Sequence, residues 1–364
     1  MKNSFGNNIT LTLFGESHGA YIGAVVDGLT PGIKIDHSAI EFALARRRPK
    51  GASSTSRVEA DKYQIISGEY NGYSTGTPLT VIIPNENKKS GDYSALENKP
   101  RPSHADYAAE MKYHGYQDKR GGGHFSGRIT AALVAIGGII IPMLNSKGIY
   151  IGTHIARLGD EKDRDFKVFE NDIDYLNKAD FPTLSCEAME KMLSCADKAR
   201  EMGDSVGGIL ETAIIGMPEG VGEPWFDTLE GVIAHAVFSV PAVKGVEFGL
   251  GFGFGSARGS ECNDQLYIDG GRVLTKTNNN GGINGGITNG MPIVFRSAVK
   301  PTPSIFTEQD TVDLSTMENC KITISGRHDA TILPRVAPVI DAVVALAIAD
   351  MLVGRYGTDY FKNS

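Results

Sequence analysis

The chain has 364 residues, with 36 Lys and Arg against 43 Asp and Glu, a net charge of −7. That balance excludes a general nucleic-acid coat, which needs a basic excess, so any anion site must be local. Four cysteines (186, 195, 262 and 320) lack CxxC spacing, which excludes a disulfide framework and points to free thiols in a reducing compartment.

No N-terminal stretch has the apolar core of a signal peptide. The longest apolar run, 131–144, is too short to span a membrane and contains Pro142. The expectation is a cytoplasmic protein without nucleic-acid or membrane partners.

In chain order, residues 9–14 and 22–26 read as strands around the glycine-bounded turn "FGESHG" (14–19). A helix follows over 36–49, with Ser38 and Glu41 at capping-box spacing and Pro49 at its end. Residues 50–60 form a polar loop, then 63–70 and 77–84 read as strands joined by the turn "NGYSTG". Residues 85–124 hold few apolar side chains, a length of loop that is unusual unless functional. They end in "RGGGHFSGR", a glycine loop entering a long buried helix. Residues 160–205 are acidic and helical and read as a peripheral insertion. Beyond them, 209–218 reads as a strand, 228–240 as a helix stopped by Pro241, and 244–260 as strand and loop. Residues 291–300 read as a strand running into the stiff "KPTPS", and a strand, a loop and a last apolar helix close the chain. With no repeat, linker or sharp boundary, the whole chain, 1–364, reads as one mixed domain with a hairpin-rich sheet.

Glycine is abundant, 44 residues, and clusters at 121–123, 249–255 and 281–286, where backbone must approach a ligand or another backbone closely. "GGHFSGRI" has Walker-like glycine spacing, but Arg128 and Ile129 stand where that loop needs Lys and a hydroxyl, so an ATPase is excluded. The N–H groups at that helix start can still bind an anion. The run 249–255 lacks the third glycine of a dinucleotide fingerprint. Arginines recur beside glycine and histidine: Arg46, Arg47 and Arg48, then Arg101, Arg120, Arg128 and Arg327. Guanidinium forks suit phosphates and carboxylates, so convergence of these islands would make a site for a polyanion. His18, His104 and His328 sit in polar loops and are the candidate proton carriers. His235 lies on an apolar helix and reads as core, and His37 as surface. No HExxH or CxxC motif exists, so no metal is expected. On the residues alone, three readings stand: an enzyme acting on a phosphorylated acid, a phosphoryl-transfer enzyme, and a non-catalytic binder of phosphorylated ligands.

Taken together, "FGESHG", "RPSHADY", "GGGHFSGR", "VKGVEFG", "GGINGGITNG", "KPTPS" and "GRHDATILPRVAPV" resemble the chorismate synthase family, in order from Gly15 to Pro338. The resemblance implies an α+β fold, a β-α-β sandwich with long helices between two antiparallel sheets, assembled as a homotetramer. It implies a lyase that removes phosphate from 5-enolpyruvylshikimate 3-phosphate by anti-1,4-elimination, giving chorismate for aromatic amino acid biosynthesis. Reduced FMN is the implied cofactor, kept reduced either with NADPH by the chain itself or by a separate flavin reductase.

The resemblance also implies roles. His18 donates a proton near the departing phosphate, His104 sits at the flavin N1/O2 edge, and Asp329 near N5 assists proton removal. Ser17, Arg47, Arg101 and Arg128 are implied substrate contacts. His124, Phe125, Ser126, Ala242, Gly285, Lys300, Pro301, Thr302, Pro303, Ser304 and Arg327 are implied flavin contacts. His124 and Phe125 stand where many members carry Arg-Ser, Pro241 where Asn is common and Ser103 where Gly is frequent. Arg57 is the first arginine after "RRRP", where others carry one earlier.

Overall fold

A computed structural model describes residues 2–49, 60–86, 98–324 and 329–362. Two five-stranded antiparallel sheets face each other across a helical layer. The first runs Ser4–Phe5, Thr10–Gly15, Tyr21–Asp27, Leu79–Pro84, Gln64–Ser67 in spatial order. The second runs Val243–Phe248, Ile293–Val299, Gly208–Ile215, Tyr150–Leu158, Glu161–Lys162. Strand Leu79–Pro84 buries Leu79, Val81 and Ile83 in alternation, as a strand with one covered face should. The expected turn at 71–76 is tighter than read: Glu69–Tyr70 and Tyr73–Ser74 pair across Asn71-Gly72. Asn-Gly tolerates the positive φ that such a turn needs.

The helices are α1 (His37–Arg47), α2 (Asp106–Tyr113), α3 (Thr130–Asn145), α4 (Phe169–Leu176), α5 (Cys186–Glu201), α6 (Leu229–Phe238), the short α7 (Gly259–Cys262) and α8 (Leu333–Tyr356). Helix α3 packs on strands Tyr21–Asp27 and Leu79–Pro84, α8 packs on Tyr150–Leu158 and Gly208–Ile215, and the two helices pack on each other. Gly127–Asn145, which runs through α3, and α8 are long and apolar enough to cross a membrane, and both are mostly buried inside this sandwich instead. The adjacent glycines of α3 explain the close fit. A Cβ on Gly137 would stand 2.5 Å from Ala342 Cβ of α8, and one on Gly138 2.7 Å from Ile40 Cα of α1. Two helix-interior glycines cost about 1 kcal/mol each, offset here by close packing on two sides.

Helix α1 is capped by Asp36, whose carboxylate accepts from Ser38 N at 2.9 Å and Ala39 N at 3.3 Å. The expected capping box at Ser38 does not form, because Ser38 lies inside the first turn and gives its own hydroxyl to Asp36. Residues 85–124 are not structureless, since α2 lies within them. Within 160–205, α4 and α5 form as expected. Ile173 of α4 packs with Ala213 and Ile215 of the second sheet, which is why strand Tyr150–Leu158 and its neighbour are buried on both faces. All four cysteines are free thiols.

Candidate active site

The strand Thr10–Gly15 ends in the quoted bend, and the bend is tied to the glycine loop. Ser17 N donates to Gly123 O at 3.0 Å, and His124 Nδ1 lies 2.7 Å from Gly15 O. Asn85 Nδ2 donates to both Glu16 O (2.9 Å) and Gly19 O (3.1 Å). The result turns Glu16 outward and buries Ser17 and His18, with Ser17 Oγ 3.1 Å from His18 Nδ1.

His18 borders a cleft of about 920 Å³, toward the upper end for small-molecule sites. Its walls bring together most of the expected residues: Ser17, Arg47, Arg101, His104, Arg128 and Asp329, with 124–126, Ala242, Lys300 and 302–304. The first turns of α3 and much of α8 add an apolar wall, with Leu133, Val336, Val339 and Val343. Gly285 and Pro301 are not among the cleft-lining residues; Gly285, at φ +62°, forms the turn between Ile283–Asn284 and Ile287–Thr288. Arg57, Arg327 and His328 lie outside the described residues.

Each cleft arginine arrives with a carboxylate. Arg47 Nη1 lies 3.4 Å from Asp61 Oδ2, and Arg128 Nη1 pairs with Asp61 Oδ1, so one buried carboxylate joins two guanidinium groups. Arg47 also donates from Nε to Thr130 Oγ1 (3.0 Å) and from Nη2 to Gly127 O (3.1 Å). Arg128 Nε donates to Asn85 Oδ1 at 3.0 Å. Arg101 grips Asp106 with Nε (2.7 Å) and Nη2 (2.8 Å), and Nη2 also reaches Gly121 O (2.6 Å). His104 Nδ1 lies 2.5 Å from Asp106 Oδ1. Burial works against charge on Asp106, but hydrogen bonds from Arg101 and His104 outweigh it and hold the carboxyl well below the usual carboxylate range. Asp329 accepts from Arg335 Nη1 at 2.6 Å.

At the other end of the cleft, Lys300 Nζ donates to Ser103 O, and Lys300 N donates to Ala242 O at 2.9 Å. Burial and the neighbouring Lys244 charge push the Lys300 ammonium below its ordinary value. Ala242 holds φ +75°, rare for a residue with a Cβ. Thr302 Oγ1 is buried with no hydrogen-bond partner among the described residues.

The reading of His235 as core is corrected. It is exposed, borders the cleft, and meets Phe5 edge-on with ring centroids 5.3 Å apart. Helix α6 buries Ile233, Ala236 and Val237, and position 235 falls on the opposite face. His37 is on the surface as read, with Nε2 3.0 Å from Glu69 Oε1. Asp61, Asp106, Lys244 and Arg335 were missed as site residues. Asp106 and Arg335 lie inside quoted motifs and Lys244 inside "VKGVEFG", while Asp61 had no local signal.

A profile of the chorismate synthase family matches residues 9–353. The chorismate synthase of Thermococcus gammatolerans is 45% identical over 353 residues, covering 96% of this chain and 97% of that protein. That of Methanosarcina barkeri is 46% identical over 352 residues, covering 96% of each. A crystal structure of chorismate synthase superposes with a TM-score of 0.77 at 28% identity, covering 98% of this chain and 94% of the other. The sandwich, the cleft and these full-length similarities agree, and the chain belongs to the chorismate synthase family.

Proposed function

We propose that this cleft eliminates phosphate from 5-enolpyruvylshikimate 3-phosphate to give chorismate, with reduced FMN bound beside the substrate. Family membership makes the chain a carbon–oxygen lyase. The observation that carries the residue-level reading is the convergence of His18, His104 and Asp329 with Arg101, Arg128 and Arg335 on one cleft.

The residues present fit FMN. The apolar wall of α3 and α8 suits a flat ring system, the Lys244 and Lys300 ammonium groups suit its phosphate, and the orphaned Thr302 hydroxyl awaits a polar partner. Residues 124–126, Ala242 and 300–304 would hold it, with His104 at the N1/O2 edge and Asp329 near N5. The expected contacts from Gly285 and Arg327 belong to the same proposal. Reduced FMN, when bound, supplies the electron density that weakens the allylic C–O bond.

The chain's own residues do the rest. The substrate carries one phosphate and two carboxylates, and Arg101 and Arg128 oppose them with charge that needs no proton. Arg47, already spent on four protein acceptors, braces that arrangement and adds charge from behind. His18 gives a proton to the departing phosphate oxygen, a general-acid step, with Ser17 Oγ steering the ring. Asp329, held by Arg335 Nη1, draws away the proton lost from C6. One C–O bond and one C–H bond break, one C=C bond is gained, and phosphate leaves.

The assembled form in this reading is a cytoplasmic homotetramer. Trp225, Phe226, Phe252 and Ile268 are each more than three-quarters exposed, the kind of surface that self-association covers. Light scattering gives the mass directly.

The test is an anaerobic assay with 5-enolpyruvylshikimate 3-phosphate and dithionite-reduced FMN, following chorismate absorbance and free phosphate together. Equal release of both, absent with oxidised FMN, supports the reading. A folded, flavin-bound protein that releases neither overturns it and leaves a binder of phosphorylated ligands.

A further inference from the structure

We propose that Asp106 is a positioning residue that fixes His104 in one tautomer, with the proton on Nδ1 and the lone pair on Nε2. The argument is local. Asp106 opens helix α2, and its carboxylate gathers the loop that precedes it. Oδ2 accepts from Arg101 N (3.0 Å) and Arg101 Nε (2.7 Å), and Oδ1 accepts from Arg101 Nη2 (2.8 Å). His104 Nδ1 lies 2.5 Å from the same Oδ1 and 3.1 Å from Arg101 Nη2.

Those two neighbours decide the proton. A bare Nδ1 would accept from Arg101 but would aim its lone pair at a carboxylate oxygen 2.5 Å away. A protonated Nδ1 donates to that oxygen, and Arg101 is already satisfied by Asp106 and by Gly121 O. The second arrangement removes the repulsion, so Nδ1 carries the hydrogen. Nε2 then holds the lone pair of the neutral ring. It has no hydrogen-bond partner among the described residues, and the ring lines the cleft. Carboxylate partners set the tautomer of functional histidines in this way elsewhere. The arrangement also couples His104 to Arg101: one carboxylate orients a proton carrier and an anion clamp together.

The proposal rests on the assignment of His104 to the active site, and its test separates the two. Full-length protein labelled with ¹⁵N-histidine is examined by NMR at pH 8 without ligand, with His104→Gln to identify the ring. The wild type should show a protonated Nδ1 and a bare Nε2. Asp106→Asn should move the proton to Nε2, and Asp106→Glu should keep it on Nδ1. An unchanged ring in Asp106→Asn overturns the proposal. This arm needs no turnover, so it stands whichever reaction the cleft performs. In the chorismate assay, Asp106→Asn should lower kcat/KM by about 10–100-fold in the wild-type background. In a His104→Gln background the same change should cost less than about threefold, since contacting residues are not additive. Equal losses in both backgrounds would mean that Asp106 acts independently of His104 and would overturn the proposal.

Discussion

Gly121 lies against the imidazole of His18: a Cβ at position 121 would stand 2.5 Å from His18 Cε1 and 2.8 Å from Nδ1. The residue also holds φ +67°, where any side chain is strained, and its carbonyl accepts from Arg101. One backbone position therefore sets an acid and a clamp. Gly121→Ala should displace the ring by about an ångström and lower kcat/KM by about 100-fold. Far-UV circular dichroism should stay native, because the added methyl meets side chains of the Ser17–His18 bend rather than the backbone of a strand or of α3. Wild-type kcat/KM in a folded Gly121→Ala protein would show that the ring's placement does not matter.

His18→Gln tests the acid itself. Gln keeps a polar side chain of similar reach but cannot release a proton to phosphate. General-acid steps contribute about 10²–10⁴-fold, so kcat should fall by that order. FMN affinity, read by flavin fluorescence, should change little. A kcat within about threefold of wild type would remove His18 from the proton step, given the size such steps normally have.

Asp61 is the hinge of the arginine arrangement. Its carboxylate is fully buried and pairs with both Arg47 and Arg128, and its backbone holds φ +47°. Asp61→Asn leaves two close guanidinium groups without the charge between them. Removing one partner from a buried ionic cluster costs about 3 kcal/mol or more. The urea midpoint should drop accordingly, and KM for the phosphorylated substrate should rise as Arg128 shifts. An unmoved midpoint would show that other acceptors already balance these arginines.

How much of this was legible in the sequence follows the range of the contacts. The Ser17–His18 contact lies inside one bend, and the Arg101–Asp106 and Asp329–Arg335 pairs lie inside quoted motifs. Their motif positions could be read, and Asp329 with them, although Asp106 and Arg335 were not singled out. Helices α3 and α8 were legible from apolar length alone. Asp61 was invisible, because it meets Arg128 across 67 residues and sits in a polar stretch with no pattern. Apolar composition alone reads α6 as buried all round and His235 as core, whereas the helix exposes one face to the cleft. The cap of α1 was misplaced by two residues because Asp36 and Ser38 are both good caps, and only geometry ranks them.

A pH-dependent clamp lies far from the cleft. His154, on the Tyr150–Leu158 strand, is buried with Nδ1 3.0 Å from Asp163 and Nε2 3.2 Å from Glu211. Phe166 meets the ring edge-on, with centroids 4.9 Å apart. Burial alone would push this imidazole toward its neutral form, but the two carboxylates outweigh burial and raise it above the ordinary value of 6.5. A group raised in the folded state stabilises fully below its unfolded value and loses that contribution as pH rises through the folded one. His154→Gln should therefore cost most at pH 6, about 3 kcal/mol for a broken buried ionic cluster. The gap from wild type should narrow steadily as pH climbs past the raised value, leaving only the neutral hydrogen bonds and ring packing. Urea midpoints of both proteins at pH 6, 7.5 and 9 measure it. A gap that holds constant or widens toward pH 9 would mean that His154 is neutral in the folded protein and that Asp163 serves the backbone N–H groups of Arg164 and Leu184 instead.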